Sequence, residues 1–95
     1  MVIGALRITL LIPECHSLKD KRRVVKQLIE RTRNRFSVAI AETGLLDDHS
    51  RAEVGLAAVG NDRRVINSVL DKATGYIDSL GTALIVDREL ELLNI

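Results

Sequence analysis

The 95-residue chain is nearly without aromatic side chains: Phe36 and Tyr76 stand alone, and tryptophan is absent. Its core must therefore come from Val, Ile, Leu and Ala, and reading single-stranded nucleic acid by base stacking on an aromatic platform is excluded. A single cysteine, Cys15, rules out an internal disulfide and fits a reducing compartment. One proline and six glycines leave no linker or low-complexity tract. Long apolar runs are missing too. Val2 to Ile12 is interrupted by Arg7 and is too short to span a bilayer, and neither a basic n-region nor a small-residue cleavage site precedes it. A cytoplasmic protein without membrane association is expected.

What remains is a chain with 46 % hydrophobic and 28 % charged residues, as for a soluble globular domain, here read as one domain over residues 1–95. The formal net charge of +1 conceals a strong polarity. Eight of the 14 basic residues fall between Lys19 and Arg35 with only Asp20 and Glu30 among them, which makes that segment +6. Elsewhere six basic residues face eleven acidic ones, a balance of −5. A concentrated basic face points to an anionic partner, nucleic acid being the commonest.

Apolar residues at even positions from Leu6 to Ile12 predict a strand that Pro13 ends. Ser17 followed by Asp20 is a variant of the capping box, and Val24, Val25, Leu28, Ile29 and Thr32 continue at helical spacing, so a helix is predicted from about Leu18 to Arg35. Phe36, Val38 and Ile40 alternate as a second strand, Gly44 to His49 form a turn, and Ala52, Val54, Leu56 and Ala58 mark a third strand. Asp62 is a candidate N-cap for a second helix with Val65, Ile66, Val69, Leu70, Ala73, Ile77 and Leu80 on one face, interrupted late by Gly75 and stopped at Gly81. In the last strand Leu84, Val86, Leu90 and Leu92 alternate with Ile85, Asp87, Glu89 and Glu91.

The order βαββαβ predicts an α+β, ferredoxin-like sandwich: a four-stranded antiparallel sheet with two helices on one face. Right-handed crossovers are expected to set strands one and three side by side and parallel, so that both helices begin at one edge. Lys19, Arg22, Arg23, Lys26 and Arg33 share an arc about 100° wide on the first helix, opposite its apolar stripe. In the first turns such charges oppose the helix dipole, and Lys19 with Arg23 and Arg22 with Lys26 form like-charge i,i+4 pairs. Helix stability alone gives little reason for them. At the expected shared edge, Lys19, Lys21, Arg22 and Arg23 meet Arg63 and Arg64, forming an anion site with the unpaired helix N–H groups.

The sheet's open side is expected to show Ala5, Arg7, Thr9, Ser37, Ala39, Ala41, Glu53, Gly55, Ala57, Ile85, Asp87, Glu89 and Glu91. This small-residue face with an acidic border suits a homodimer. Neither Glu14-Cys15-His16 nor Asp47-Asp48-His49 has metal-ligand spacing, so no metal or cofactor is implied. No oriented base accompanies Cys15, and Ser17 reads as a cap, so no catalytic set is assigned. An acylphosphatase-like hydrolase would share the topology, but no arginine lies between Pro13 and Ser17 to cradle its anion.

His16 to Arg23, reading His-Ser-Leu-Lys-Asp-Lys-Arg-Arg, resembles the SLKxKR signature of the YlxP-like family of small bacterial proteins. Asn34, Arg35 and Phe36 leading to Ala41 and Glu42, together with Arg51-Ala52 and Asn61-Asp62, extend the resemblance over essentially the whole chain; the turn at 44–49 departs from it. The resemblance implies a ferredoxin-like fold, a bacterial cytosolic setting, and genes near those for translation and ribosome maturation. It supplies no activity. Residues and resemblance together lead to the expectation of a non-enzymatic factor that contacts structured RNA or the ribosome through Lys19, Lys21, Arg22, Arg23, Lys26, Arg33, Arg63 and Arg64. A dimeric domain sensing an anionic metabolite at the same edge is the alternative.

Overall fold

A computed structural model describes residues 1–13 and 15–95. The elements are β1 (Val2–Leu11), α1 (Leu18–Arg35), β2 (Ala39–Gly44), β3 (Arg51–Gly60), α2 (Arg63–Ser79) and β4 (Leu84–Asn94). This is the βαββαβ order read from the sequence. Both helices start where a side chain can cap them: Ser17 Oγ accepts from the Asp20 amide at 3.1 Å, and Asp62 Oδ1 from the Arg64 amide at 2.8 Å. Gly75 does not interrupt α2, which continues to Ser79.

The strands order as β2-β3-β1-β4, and every neighbouring pair is antiparallel. The expected parallel pairing of strands one and three is therefore wrong. A right-handed β–α–β crossover makes the two strands it joins parallel, but here each crossover spans one intervening strand. The parallel partners are β1 with β2 and β3 with β4, and the strand inserted between each pair runs the other way.

One side of the sheet packs on the helices. Val2, Leu6, Ile8, Leu10 and Ile12 from β1 and its extension, and Ala52, Val54, Leu56 and Ala58 from β3, meet Val25 and Leu28 of α1 and Ile66, Leu70, Ala73 and Ile77 of α2. Gly4 belongs to this layer because α2 comes close: a Cβ there would lie 2.6 Å from both Ile66 and Leu70 side-chain carbons. The alternation expected for the last strand fails at its start. Thr9 pairs with Asp87 and Leu10 with Ile85, leaving Val86 as an extra residue. This bulge inverts the side-chain parity beyond it. Ile85 turns onto the core, and Leu84, expected to face the helices, is 55 % exposed.

Candidate functional site

Lys19, Arg22, Arg23, Lys26 and Arg33 are all exposed on α1, as the helical spacing requires. Among the described residues none of them forms an ion pair with a carboxylate. From Lys19 to Arg33 the ridge extends about 21 Å at the α-helical rise. Arg33 is partly engaged, donating from Nη2 to the Ile40 carbonyl at 2.9 Å. Two further arginines of the segment lie off the ridge. Arg35 stacks over Tyr76, 4.9 Å from the ring centroid, and Tyr76 meets Phe36 edge-on.

Lys21 is the exception within the basic segment. Its side chain is fully buried, with 0 % exposure. Nζ donates to the Leu45 carbonyl at 2.7 Å and the Arg51 carbonyl at 3.1 Å, and lies 3.5 Å from Glu42 Oε2. It fastens the start of α1 to both ends of the β2–β3 connection and cannot reach a phosphate outside. Leu45, whose carbonyl it holds, has φ of 56°, in the left-handed region rarely adopted by branched side chains. The Leu45 carbonyl also accepts from the Asp48 amide, so two donors fix that residue. Glu42 Oε2 is buried with no hydrogen-bond partner among the described residues, which leaves the Lys21 ammonium as its compensation.

The proposed shared edge does not exist. The end of β3 at Gly60 lies opposite the start of β1 at Val2, while the end of β1 at Leu11 lies opposite Arg51. Because α1 follows β1 and α2 follows β3, the helices begin at opposite ends of the sheet, separated by about 30 Å over ten paired residues. Arg63 and Arg64 are exposed, but they form a second basic spot far from Lys19, Arg22 and Arg23.

The polar clusters beside the helix and in the turn have other uses. Asp48 Oδ1 accepts from the Ser50 and Arg51 amides, both at 2.8 Å, and these bonds hold its carboxyl below its ordinary value. It is a turn-forming side chain. Burial, and after it Asp20, pushes the Cys15 thiol up, against the effect of Lys21, so the thiolate is disfavoured rather than activated. The first of the two clusters includes Glu14, which lies outside the described residues. Among the described residues no three metal-ligating side chains converge.

On the sheet's other side, a trough of about 850 Å³ has its floor on Ala5, Ala39, Ala41, Gly55 and Ala57. Arg7 stands in it, bonded to Glu89 and 3.9 Å from Glu53. Glu53 also accepts from Thr43 Oγ1 at 2.8 Å. Among the described residues no helix is long and apolar enough to cross a membrane.

Residues 3–90 match the family described as "Protein of unknown function (DUF503)". The chain belongs to this family. Over 78 residues it is 36 % identical to "Uncharacterized protein YlxP" of Bacillus subtilis (strain 168), covering 82 % of this chain and 85 % of that protein. Among solved structures it is similar to a de novo designed protein with ferredoxin fold, LFR1 1, with a TM-score of 0.62 and 14 % identity over 96 % of this chain and 86 % of the design. The de novo designed protein Foldit4 matches with a TM-score of 0.55 and 12 % identity, covering 100 % of this chain and 99 % of the design. The structural likenesses establish the ferredoxin-like fold. The DUF503 relationship agrees with the family resemblance carried by residues 16–23.

Proposed function

We propose that this DUF503 protein is a non-enzymatic accessory factor that binds structured RNA, ribosomal RNA included, through the α1 ridge of Lys19, Arg22, Arg23, Lys26 and Arg33. Recognition rests on phosphates and shape rather than base edges. One observation carries the reading: these five cations are exposed and without carboxylate partners among the described residues, in a chain that has 13 acidic residues to offer. Three of them, Lys19, Arg22 and Arg23, stand in the first turns of α1, where the helix dipole opposes them. The site residues proposed for binding are narrowed accordingly. Lys21 is removed because it is buried, and Arg63 and Arg64 are removed because α2 starts at the far end. The metabolite-sensing alternative depended on two helix N-termini converging, and loses its support with them.

The test is retention of structured RNA from a bacterial lysate, with and without nuclease and at two salt concentrations. Retention is expected to be nuclease-sensitive, to weaken with salt, and to vanish when Lys19, Arg22, Arg23 and Lys26 are all replaced by Ala. Unchanged retention by that quadruple variant overturns the proposal.

A further inference from the structure

The open side of the sheet has a size asymmetry that the antiparallel register makes explicit. Across one row, Ala57 of β3 faces Ala39 of β2 on one side and Ala5 of β1 on the other, and Ala5 faces Glu91 of β4. In the next row Gly55 lies between Ala41 and Arg7, and Arg7 faces Glu89. The small residues thus crowd the β2–β3 half, whereas the long side chains, Arg7, Glu89 and Glu91, stand on the β1–β4 half. A third row is apolar: Val59, Ile3 and Leu93 are paired across three strands, with Val59 62 % and Leu93 41 % exposed. Large side chains on one half and vacancies on the other are the relief that a two-fold axis makes self-complementary.

The geometry points to a second copy of this chain as the occupant of the trough, related by a two-fold axis parallel to the strands. That operation lays β1 and β4 of each copy over β3 and β2 of the other. Arg7 then comes over the partner's Gly55 beside the partner's Thr43, whose side chain lies against that glycine, Glu89 covers the partner's Ala41, and Ile3 meets the partner's Val59. Arg7 enters already bonded to Glu89, so neither charge is buried unpaired. The acidic residues of β4 fall above the neutral edge of β2 instead of above one another. Four strands at about 4.8 Å and ten residues at about 3.3 Å give a face on the order of 600 Å² in projection. Side-chain relief raises this toward the ~800 Å² per partner of a standard stable interface. The small floor allows two sheets to approach closely, and the helices, with their basic ridges, stay on the outside.

The decisive measurement is the solution mass by light scattering and sedimentation equilibrium. Twice the 10.5 kDa chain mass is expected for the full chain. Ala57→Glu, at an exposed position, is expected to give a folded monomer by circular dichroism. The register is tested at Ala41, which lies at the rim opposite Glu89 of the second copy: Ala41→Glu weakens the dimer at least tenfold more than Ala41→Lys. A monomeric wild type at high protein concentration overturns the inference, as do equal effects of the two Ala41 variants. A dimer lost on Lys26→Glu and kept by Ala57→Glu also overturns it, because pairing would then run from the basic ridge to the acidic β4 strand.

Discussion

Lys19 and Lys21 are two residues apart and do opposite things. On a helix two residues are a rotation of about 200°, so one lysine points to solvent and the other into the protein. Removing Lys21 leaves Glu42 as an uncompensated, largely buried charge and takes a donor from two carbonyls. Lys21→Met is expected to lower unfolding free energy by about 3 kcal/mol, and Lys21→Met with Glu42→Leu to recover part of that loss, measured by urea denaturation. Lys19→Ala is expected to be neutral or slightly stabilising while weakening RNA retention. The sequence held the means of separating them: Val25, Leu28 and Thr32 follow Lys21 by four, seven and eleven residues, the spacing of the buried stripe. Charge type masked position, because a lysine in an apolar stripe is read as basic before it is read as buried. Asp48 gives a second residue-scale expectation. Its carboxyl is held below its ordinary value by the Ser50 and Arg51 amides, so the ionised form is favoured in the fold. The stabilisation is complete above pH 3.8, its ordinary value, and is lost as pH falls through the lower value it has in the fold. Asp48→Asn should therefore show a shallower loss of denaturation midpoint on acidification than the wild type.

At the scale of elements, α1 carries charges that work against its own stability. Lys19–Arg23 and Arg22–Lys26 are like-charge pairs costing about 0.2–0.5 kcal/mol each, and their place in the first turns adds an unfavourable dipole term. The quadruple alanine variant that loses RNA is accordingly expected to unfold at a higher urea concentration, gaining about 1 kcal/mol. A fall in stability would mean that the ridge serves the fold instead. For α2 the contrast lies between two glycines. Gly75 has nothing within 4 Å of a Cβ, so Gly75→Ala should stabilise the helix by about 0.5–1 kcal/mol. Gly4→Ala would drive a methyl into Ile66 and Leu70 and should destabilise by about 1–3 kcal/mol. Element type and order were legible throughout because alternation and helical spacing are strong here, with caps at Ser17 and Asp62 marking both helix starts. Two things were not legible. Strand alternation says nothing of an inserted residue, so the Val86 bulge and the reversal of Leu84 and Ile85 were hidden. The relative direction of strands one and three depends on which strand lies between the crossover partners, and it alone decided where Arg63 and Arg64 would lie.

The whole molecule separates its charges by layer: cations along the outer surface of α1, acids along β4 on the far side of the sheet, and Arg63 with Arg64 about 30 Å from the start of α1. A ridge of five cations extended over about 21 Å suits a polyanion better than a small one. Its binding should then follow counterion release. Five phosphate contacts give a slope of log affinity against log salt of about −4, equivalent to weakening on the order of 10²-fold between about 50 and 200 mM salt. The quadruple variant, if residual binding can be measured at low salt, should have a slope near −1 from Arg33 alone. Arg63→Ala with Arg64→Ala should leave both affinity and slope for a short RNA duplex unchanged, since the two arginines stand on α2, off the α1 ridge. Titration of a fluorescent duplex at several salt concentrations measures all three. A slope reduced as much by the α2 arginines as by the ridge would mean that one ligand spans both ends, and would move the interface from the helix to the long dimension of the molecule.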